Sequence, residues 1–275
     1  VPTQPPFRRR RLGRKLARLR ADAGLTLDAA AEALFKTRSA LHRMEKGETL
    51  VDVHLVKSMM DLYDHFDPDL VGQTVRARQK GWWTTFRIEN QGYVDVETEA
   101  TEVRDLSLLI VPGLLQTVGY MRALFEGHRL KRSAKWLEND IEVRRIRQRR
   151  LTDPDDPLRL HAIVNEAALR TVVGGPAVMR EQLEHLCLVA ELPNVTLQVV
   201  PSAVGILNGL ASGFILLGFG EPREPDVLFI EYVTGAMHVE AEDELREARL
   251  TFADMAAKAL GAVESVALIE RILAE

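Results

Sequence analysis

TRSALHRMEKG, Thr37 to Gly47, reads as one short helix. Thr37 or Ser39 supplies an N-cap, because a short hydroxyl side chain can accept a free amide of the first turn. Gly47 suits the left-handed residue that ends a helix. Leu41 and Met44, three apart, face one way, and Arg38, Ser39, His42 and Arg43 face the other. A short helix with an outward Arg/Ser/His/Arg face fits the DNA major groove, where an Arg can donate two hydrogen bonds to guanine. Alone, the same face also fits a solvated basic surface. The residues upstream favour the groove.

GLTLDAAAEALF, Gly24 to Phe35, predicts a helix capped by Thr26, with Leu27, Ala30, Ala31 and Leu34 at helical spacing. The gap to the next helix is about three residues, as in a helix-turn-helix. Ala30 and Ala31 allow close approach of two helices. LGRKLARLRADAG, Leu12 to Gly24, supplies an earlier helix with Leu12, Leu16 and Leu19 as its apolar stripe.

These three segments resemble the xenobiotic-response-element class of helix-turn-helix repressors, related to phage repressors. The resemblance implies base reading by Arg38, Ser39 and Arg43, with His42 as a further base-contact position. It places phosphate contacts at Thr26, Leu27 and Thr37, and the flanking Lys36 and Lys46 are read the same way. Leu27 stands where the family has a polar residue, often Gln, which leaves a backbone contact there. Phe35 stands where the family has a turn glycine, and a bulky side chain disfavours positive φ. Arg20 and Glu45 match a pair that bridges the first and third helices.

Residues 1–7 carry three prolines and no periodicity, and are expected to be disordered. Arg8, Arg9, Arg10 and Arg11 run into the first helix and are read as phosphate contacts. After Gly47, Val53, Val56, Met59, Met60 and Tyr63 predict a core helix within Val51 to Phe66, and a further helix covers roughly Pro68 to Lys80. The expected division is a helix-turn-helix domain at 8–70, a linker helix at 71–80 and a larger domain at 81–275.

Charge follows this division. Residues 1–80 hold 16 Lys+Arg against 10 Asp+Glu, and the remainder holds 20 against 30, within an overall net charge of −4. A basic head on an acidic body fits a nucleic-acid module joined to something else. No apolar run is long enough to span a membrane. The basic start VPTQPPFRRRR lacks an apolar signal core, so a cytoplasmic location is expected. Cys187, the single cysteine, sits on an amphipathic helix and reads as core filler.

In the remainder, GWWTTF (Gly81 to Phe86) opens the second domain. Glu97 to Asp105 is polar and ambiguous, and Leu106 to Phe125 reads as an extended segment, a Pro112-Gly113 turn and a helix. Ala134 to Leu151 is a long helix with a second basic cluster, Arg144, Arg145, Arg147, Arg149 and Arg150. These arginines could serve DNA or pair with acids of the same domain. Strands are predicted at Leu158 to Val164, Asn194 to Pro201, Phe214 to Phe219, Val227 to Tyr232 and Gly235 to Glu240. A helix starts after Pro176, and two more close the chain at Glu242 to Leu260 and Ala262 to Leu273. The expected fold is an α-helical N-terminal helix-turn-helix domain of four to five helices plus a larger α+β domain with a mainly antiparallel sheet.

GWW, VPGLLQT, RQRRL, NEAALR with VGGP, and LPNVTLQVVP together resemble a group of actinobacterial regulators, the WhiJ-like or Scr-type antitoxin-like transcription factors. The resemblance implies a sequence-specific DNA-binding transcriptional regulator acting as a homodimer on a near-palindromic operator. It also implies a possible small co-encoded partner protein. The alternative it leaves open is an antitoxin-like protein whose main role is binding that partner, with DNA binding for autoregulation.

No HExxH, Walker-type loop or GxGxxG occurs, and the serine of GLASGF is not in a nucleophile-elbow spacing. Glu231 and Glu240 could face each other as a carboxylate pair, and Asn165-Glu166 with Gly174-Gly175-Pro176 could line a pocket. The expectation is no enzyme activity, no cofactor and no metal.

Overall fold

The computed structural model describes residues 5–86, 88, 91–127, 133–205, 209, 212–220 and 223–275. The chain divides into two compact units, Val1–Thr85 with Asn90–Val96, and Phe86–Glu89 with Glu97–Glu275.

The first unit holds α1 (Phe7–Asp22), α2 (Leu27–Ala33), α3 (Arg38–Glu45), α4 (Val53–Leu62) and α5 (Pro68–Arg78). The side chains of Thr26, Thr37, Asp52 and Asp67 each accept an amide at the start of α2, α3, α4 and α5. Leu12, Leu16, Ala30, Ala31, Leu41, Val56 and Met59 form the core. Leu70 and Ala77 of α5 join them, so the helix read as a linker is integral to the head.

α1, α2, α3 and α4 end in the same hydrogen-bond pattern. The residue two past the cap donates back to the third-last helical carbonyl: Leu25 to Arg20, Lys36 to Ala31, Glu48 to Arg43 and His65 to Met60, all within 2.8–3.1 Å. This is the Schellman arrangement, and it needs a left-handed residue just before that donor. Gly24 and Gly47 supply it at two ends, with φ 71° and 72°. Phe35 and Asp64 supply it at the other two, with φ 54° and 49°. Phe35 thus accepts the unfavourable backbone, and its ring is 95% exposed.

Two expectations for the head need correction. Residues 1–4 lie outside the described residues, but Phe7, expected in a disordered tail, begins α1 and is fully buried. Its amide donates to Asp95 Oδ2 at 2.6 Å, and Arg10 and Arg14 lie over its ring. Asp95 belongs to α6 (Gln91–Glu97), a helix that the sequence did not suggest. The first unit also contains Trp82 and Trp83, which pack edge to face with their centroids 5.7 Å apart.

The second unit is built on one six-stranded sheet. Its elements are β1 (Glu102–Ser107), α7 (Val118–Glu126), α8 (Ala134–Arg149), β2 (Arg159–Asn165), α9 (Glu166–Arg170), α10 (Pro176–Val189), β3 (Val195–Val200), β4 (Phe214–Gly218), β5 (Val227–Tyr232), β6 (Gly235–Val239), α11 (Glu242–Lys258) and α12 (Ala262–Ala274). The strand order is β3-β2-β1-β4-β5-β6. The sheet is mixed where a mainly antiparallel one was expected, with two of its five pairings parallel. β1 and β3 both run parallel to β2, while β4, β5 and β6 are antiparallel to their neighbours. Long helical crossovers join β1 to β2 and β2 to β3, and such connections permit parallel neighbours. The sequence concealed this because β1, EVRDLS, buries Asp105 beside Val103 and Leu106 and so does not look like a strand.

One face of the sheet, with Leu106, Ile163, Val200, Leu216 and Leu228, packs on Leu245, Phe252 and Met255 of α11. The irregular segment between β1 and α7 is held by side chains. Tyr120 accepts the Val111 amide, Gln116 donates to Val111 O, and Gln182 both accepts from Thr117 N and donates to Leu115 O. Gln148 donates to Gly113 O and Gln116 O. Buried backbone groups outside regular structure need such partners, and this gives the VPGLLQT stretch a structural role.

Candidate nucleic-acid interface

α3 is fixed from behind. Arg20 Nε meets Glu45 Oε1 at 2.6 Å, Arg20 Nη2 meets Glu45 Oε2 at 3.0 Å, and Nη1 donates to Leu25 O at 2.8 Å. Glu45 is buried, and its hydrogen bond raises the Arg20 pKa above the usual value. Burial, followed by the charge of Glu45, pushes the nearby Tyr63 hydroxyl up to about 12.

Two glycines bring the backbones together. A Cβ on Gly13 of α1 would lie 2.4 Å from Glu45 O, and one on Gly47 would lie 2.7 Å from the Arg9–Arg10 backbone. α3 therefore meets α1 backbone to backbone at its C-terminal end.

The outer face of α3 carries Arg38, Ser39, His42 and Arg43, all exposed, while Leu41 is buried beneath them. Thr37 Oγ1 accepts Ala40 N at 3.1 Å, and Thr26 Oγ1 accepts Ala29 N at 3.2 Å. Ser39 is thus free of the capping role. Lys36 and Lys46 are exposed at the two ends of α3, and Leu27 is half-buried against the core.

Arg8, Arg9, Arg10 and Arg11 are half-buried along α1. Arg9 Nε donates to Ala77 O at 3.4 Å and Arg10 Nε to Pro5 O at 3.2 Å. At least part of this run is engaged with the head itself.

Two acids on this surface were missed in the sequence. Asp28 of α2 lies 3.3 Å from Arg38 Nε, and Glu48 lies 3.5 Å from Arg43 Nε. Asp28 and Arg38 are ten positions apart, so only the folded turn reveals that pair.

The second basic cluster has another use. Arg147 grips buried Glu97 through two contacts of 2.6 Å. Arg150 donates to the carbonyls of Glu97 and Ala100. Arg144 donates to Gln116 and lies over the Phe125 ring. Arg145 and Arg149 reach Glu142 on the same helix.

The other candidate groups also fall to structural roles. Glu231 stands opposite Ala236, whereas Glu240 follows Val239, which pairs with Leu228; the two carboxylates occupy opposite ends of the hairpin and form no pair. Asn165 caps α9, and Glu166 accepts Ser202 N at 2.8 Å, which holds its carboxyl below the usual pKa. Cys187 is a free, half-buried thiol whose pKa is raised by burial. Among the described residues no group of three His, Cys, Asp or Glu could hold a metal ion. No helix among them is long and apolar enough to cross a membrane.

Residues 11–72 match a helix-turn-helix domain family, and residues 91–271 match a family described as a domain of unknown function, DUF5753. The second match spans most of the chain. The chain belongs to the DUF5753 family. Its helix-turn-helix head makes it a DNA-binding regulator in the general sense. No curated protein and no solved structure matches the chain. The DUF5753 match starts with α6 and takes in the whole sheet, including the side-chain-supported VPGLLQT segment and the inward arginines of α8.

Proposed function

We propose that this DUF5753 protein is a sequence-specific transcriptional regulator of the xenobiotic-response-element type, working in the cytoplasm as a homodimer on a near-palindromic operator. The observation that carries the reading is the exposed Arg38/Ser39/His42/Arg43 face of α3, on a helix anchored by Arg20–Glu45 and by the Gly13 and Gly47 approaches. In this reading α3 enters the major groove, Arg38 and Arg43 each donate to a guanine, and Ser39 and His42 contact neighbouring base edges. The α1 arginines, Lys36 and Lys46 attract the phosphates, so affinity falls with salt.

The second unit dimerises and receives a partner or effector; a small co-encoded protein is the partner class implied by the sequence resemblance. It is assigned no reaction. A two-fold dimer needs half-sites about one helical turn, roughly 10 base pairs, apart.

The test is selection of genomic DNA by the purified protein at two salt concentrations. A palindromic motif that is recovered by the parent and lost in Arg38→Ala/Arg43→Ala supports the reading. Diffuse, salt-labile binding identical in parent and variant would remove α3 as a base reader.

A further inference from the structure

Resting on this DNA-reading function, we infer that Asp28 and Glu48 are positioning residues that hold Arg38 and Arg43 in a guanine-reading pose and thereby set base specificity. The argument begins with where the acids touch. Asp28 Oδ1 approaches Arg38 at Nε, and Glu48 Oε2 approaches Arg43 at Nε. A guanidinium carries five donors in a rigid fork. An acid at the Nε side leaves the far edge, with the two terminal nitrogens, for guanine O6 and N7.

Each acid is also placed by a helix end. Asp28 lies in the first turn of α2, where the helix dipole favours a carboxylate. Glu48 follows Gly47 in the Schellman turn, and its own amide donates to Arg43 O at 2.9 Å, which brings the two side chains together. Two different elements thus present the same contact to two different arginines of one face.

Stability does not account for these pairs. The side chains are 69% and 73% exposed for Arg38 and Asp28, and 57% and 51% for Arg43 and Glu48. Exposed pairs of this kind contribute little in water. Near phosphates an unpaired acid is unfavourable. On DNA binding, water leaves the groove and the pairs strengthen as the local dielectric falls. A restrained arginine also loses less side-chain freedom when it docks. The acids therefore reduce indiscriminate phosphate attraction and favour the one arrangement that reads a base.

The test measures base preference at every operator position for the full chain against a library of duplexes, together with salt dependence. The set is parent, Arg38→Ala, Arg43→Ala, Asp28→Asn, Asp28→Glu and Glu48→Gln, each checked by thermal melting. Arg38→Ala and Arg43→Ala identify which position each arginine reads. Asp28→Asn is expected to reduce discrimination at the Arg38 position about tenfold, comparable to losing a base contact, with other positions unchanged and part of the loss restored in Asp28→Glu. Glu48→Gln does the same at the Arg43 position.

If both acid variants shift affinity uniformly and leave every base preference intact, the acids act only by repelling phosphate and the inference is overturned. If the parent itself shows no base preference, the DNA-reading function fails first and takes this inference with it.

Discussion

α3 and α8 are both rich in arginine, and they spend that charge in opposite ways. Arg38 and Arg43 of α3 stand in solvent, each with one acid beside its Nε. On α8, Arg147 is buried against Glu97, Arg144 reaches Gln116, and the adjoining Arg150 holds two backbone carbonyls. Clustered basic residues therefore do not identify a DNA surface. What separates the two is the acceptors their arginines reach: those of α8 and Arg150 include a buried carboxylate, a side-chain amide and backbone carbonyls, and those of Arg38 and Arg43 are exposed acids.

The sharpest way to break this contrast is Arg147→Ala. It strands Glu97 in the interior, and breaking a buried pair costs about 3–5 kcal/mol. Thermal melting should show that loss, while the remaining folded protein keeps its DNA affinity. A melt displaced by only a degree or two would mean that α8 is not held by its arginines.

Asp105 extends the contrast to an acid. It lies fully buried on β1, hydrogen-bonded to Ser107 Oγ at 2.7 Å, and burial pushes its pKa up to about 6. An unfolded Asp titrates near 3.9. The protonated form therefore suits the fold, and the contribution of Asp105 to stability is greatest below about pH 4, declines as pH rises to about 6 and is level above that. Asp105→Asn should stabilise the protein at pH 7.5 by about 2 kcal/mol, and the gap should close at pH 4. Denaturant titrations at the two pH values give both numbers; a gap that persists at pH 4 would assign the gain to packing instead.

Smaller effects are expected in the head. Arg43→Ala should weaken operator binding by about 1–3 kcal/mol. Its melt should stay within about 0.5 kcal/mol of the parent, as for other exposed sites. Phe35→Gly should stabilise the head by about 0.5–1 kcal/mol, because it relieves a left-handed backbone whose ring buries nothing. A loss of stability there would show that the exposed ring has contacts in solution that offset its strain.

Much of the head was legible. Thr26, Thr37 and Gly47 marked helix ends through their own chemistry, and Leu41 against Arg38, Ser39, His42 and Arg43 showed which side faces out. Arg20 and Glu45, 25 residues apart, could be paired only through family resemblance. Phe7 was hidden by its prolines, since tail-like composition masked one anchoring side chain. In the second unit, β2 to β6 were visible as alternating or apolar runs. β1 was not, because its buried Asp105 breaks the apolar pattern, and the parallel half of the sheet was lost with it. VPGLLQT and the α8 arginines could be seen as unusual, but several of their partners lie 28 to 67 residues away, beyond local pattern.

The Gly13 and Gly47 contacts carry one further consequence. The C-terminal end of α3 rests on α1 through main-chain atoms, and none of Arg38, Ser39, His42 or Arg43 takes part in that seating. The four positions can therefore be exchanged without resetting the angle at which α3 is presented. A lineage built on this head could acquire new operators by substitution at those positions alone, while the scaffold beneath them remained unchanged.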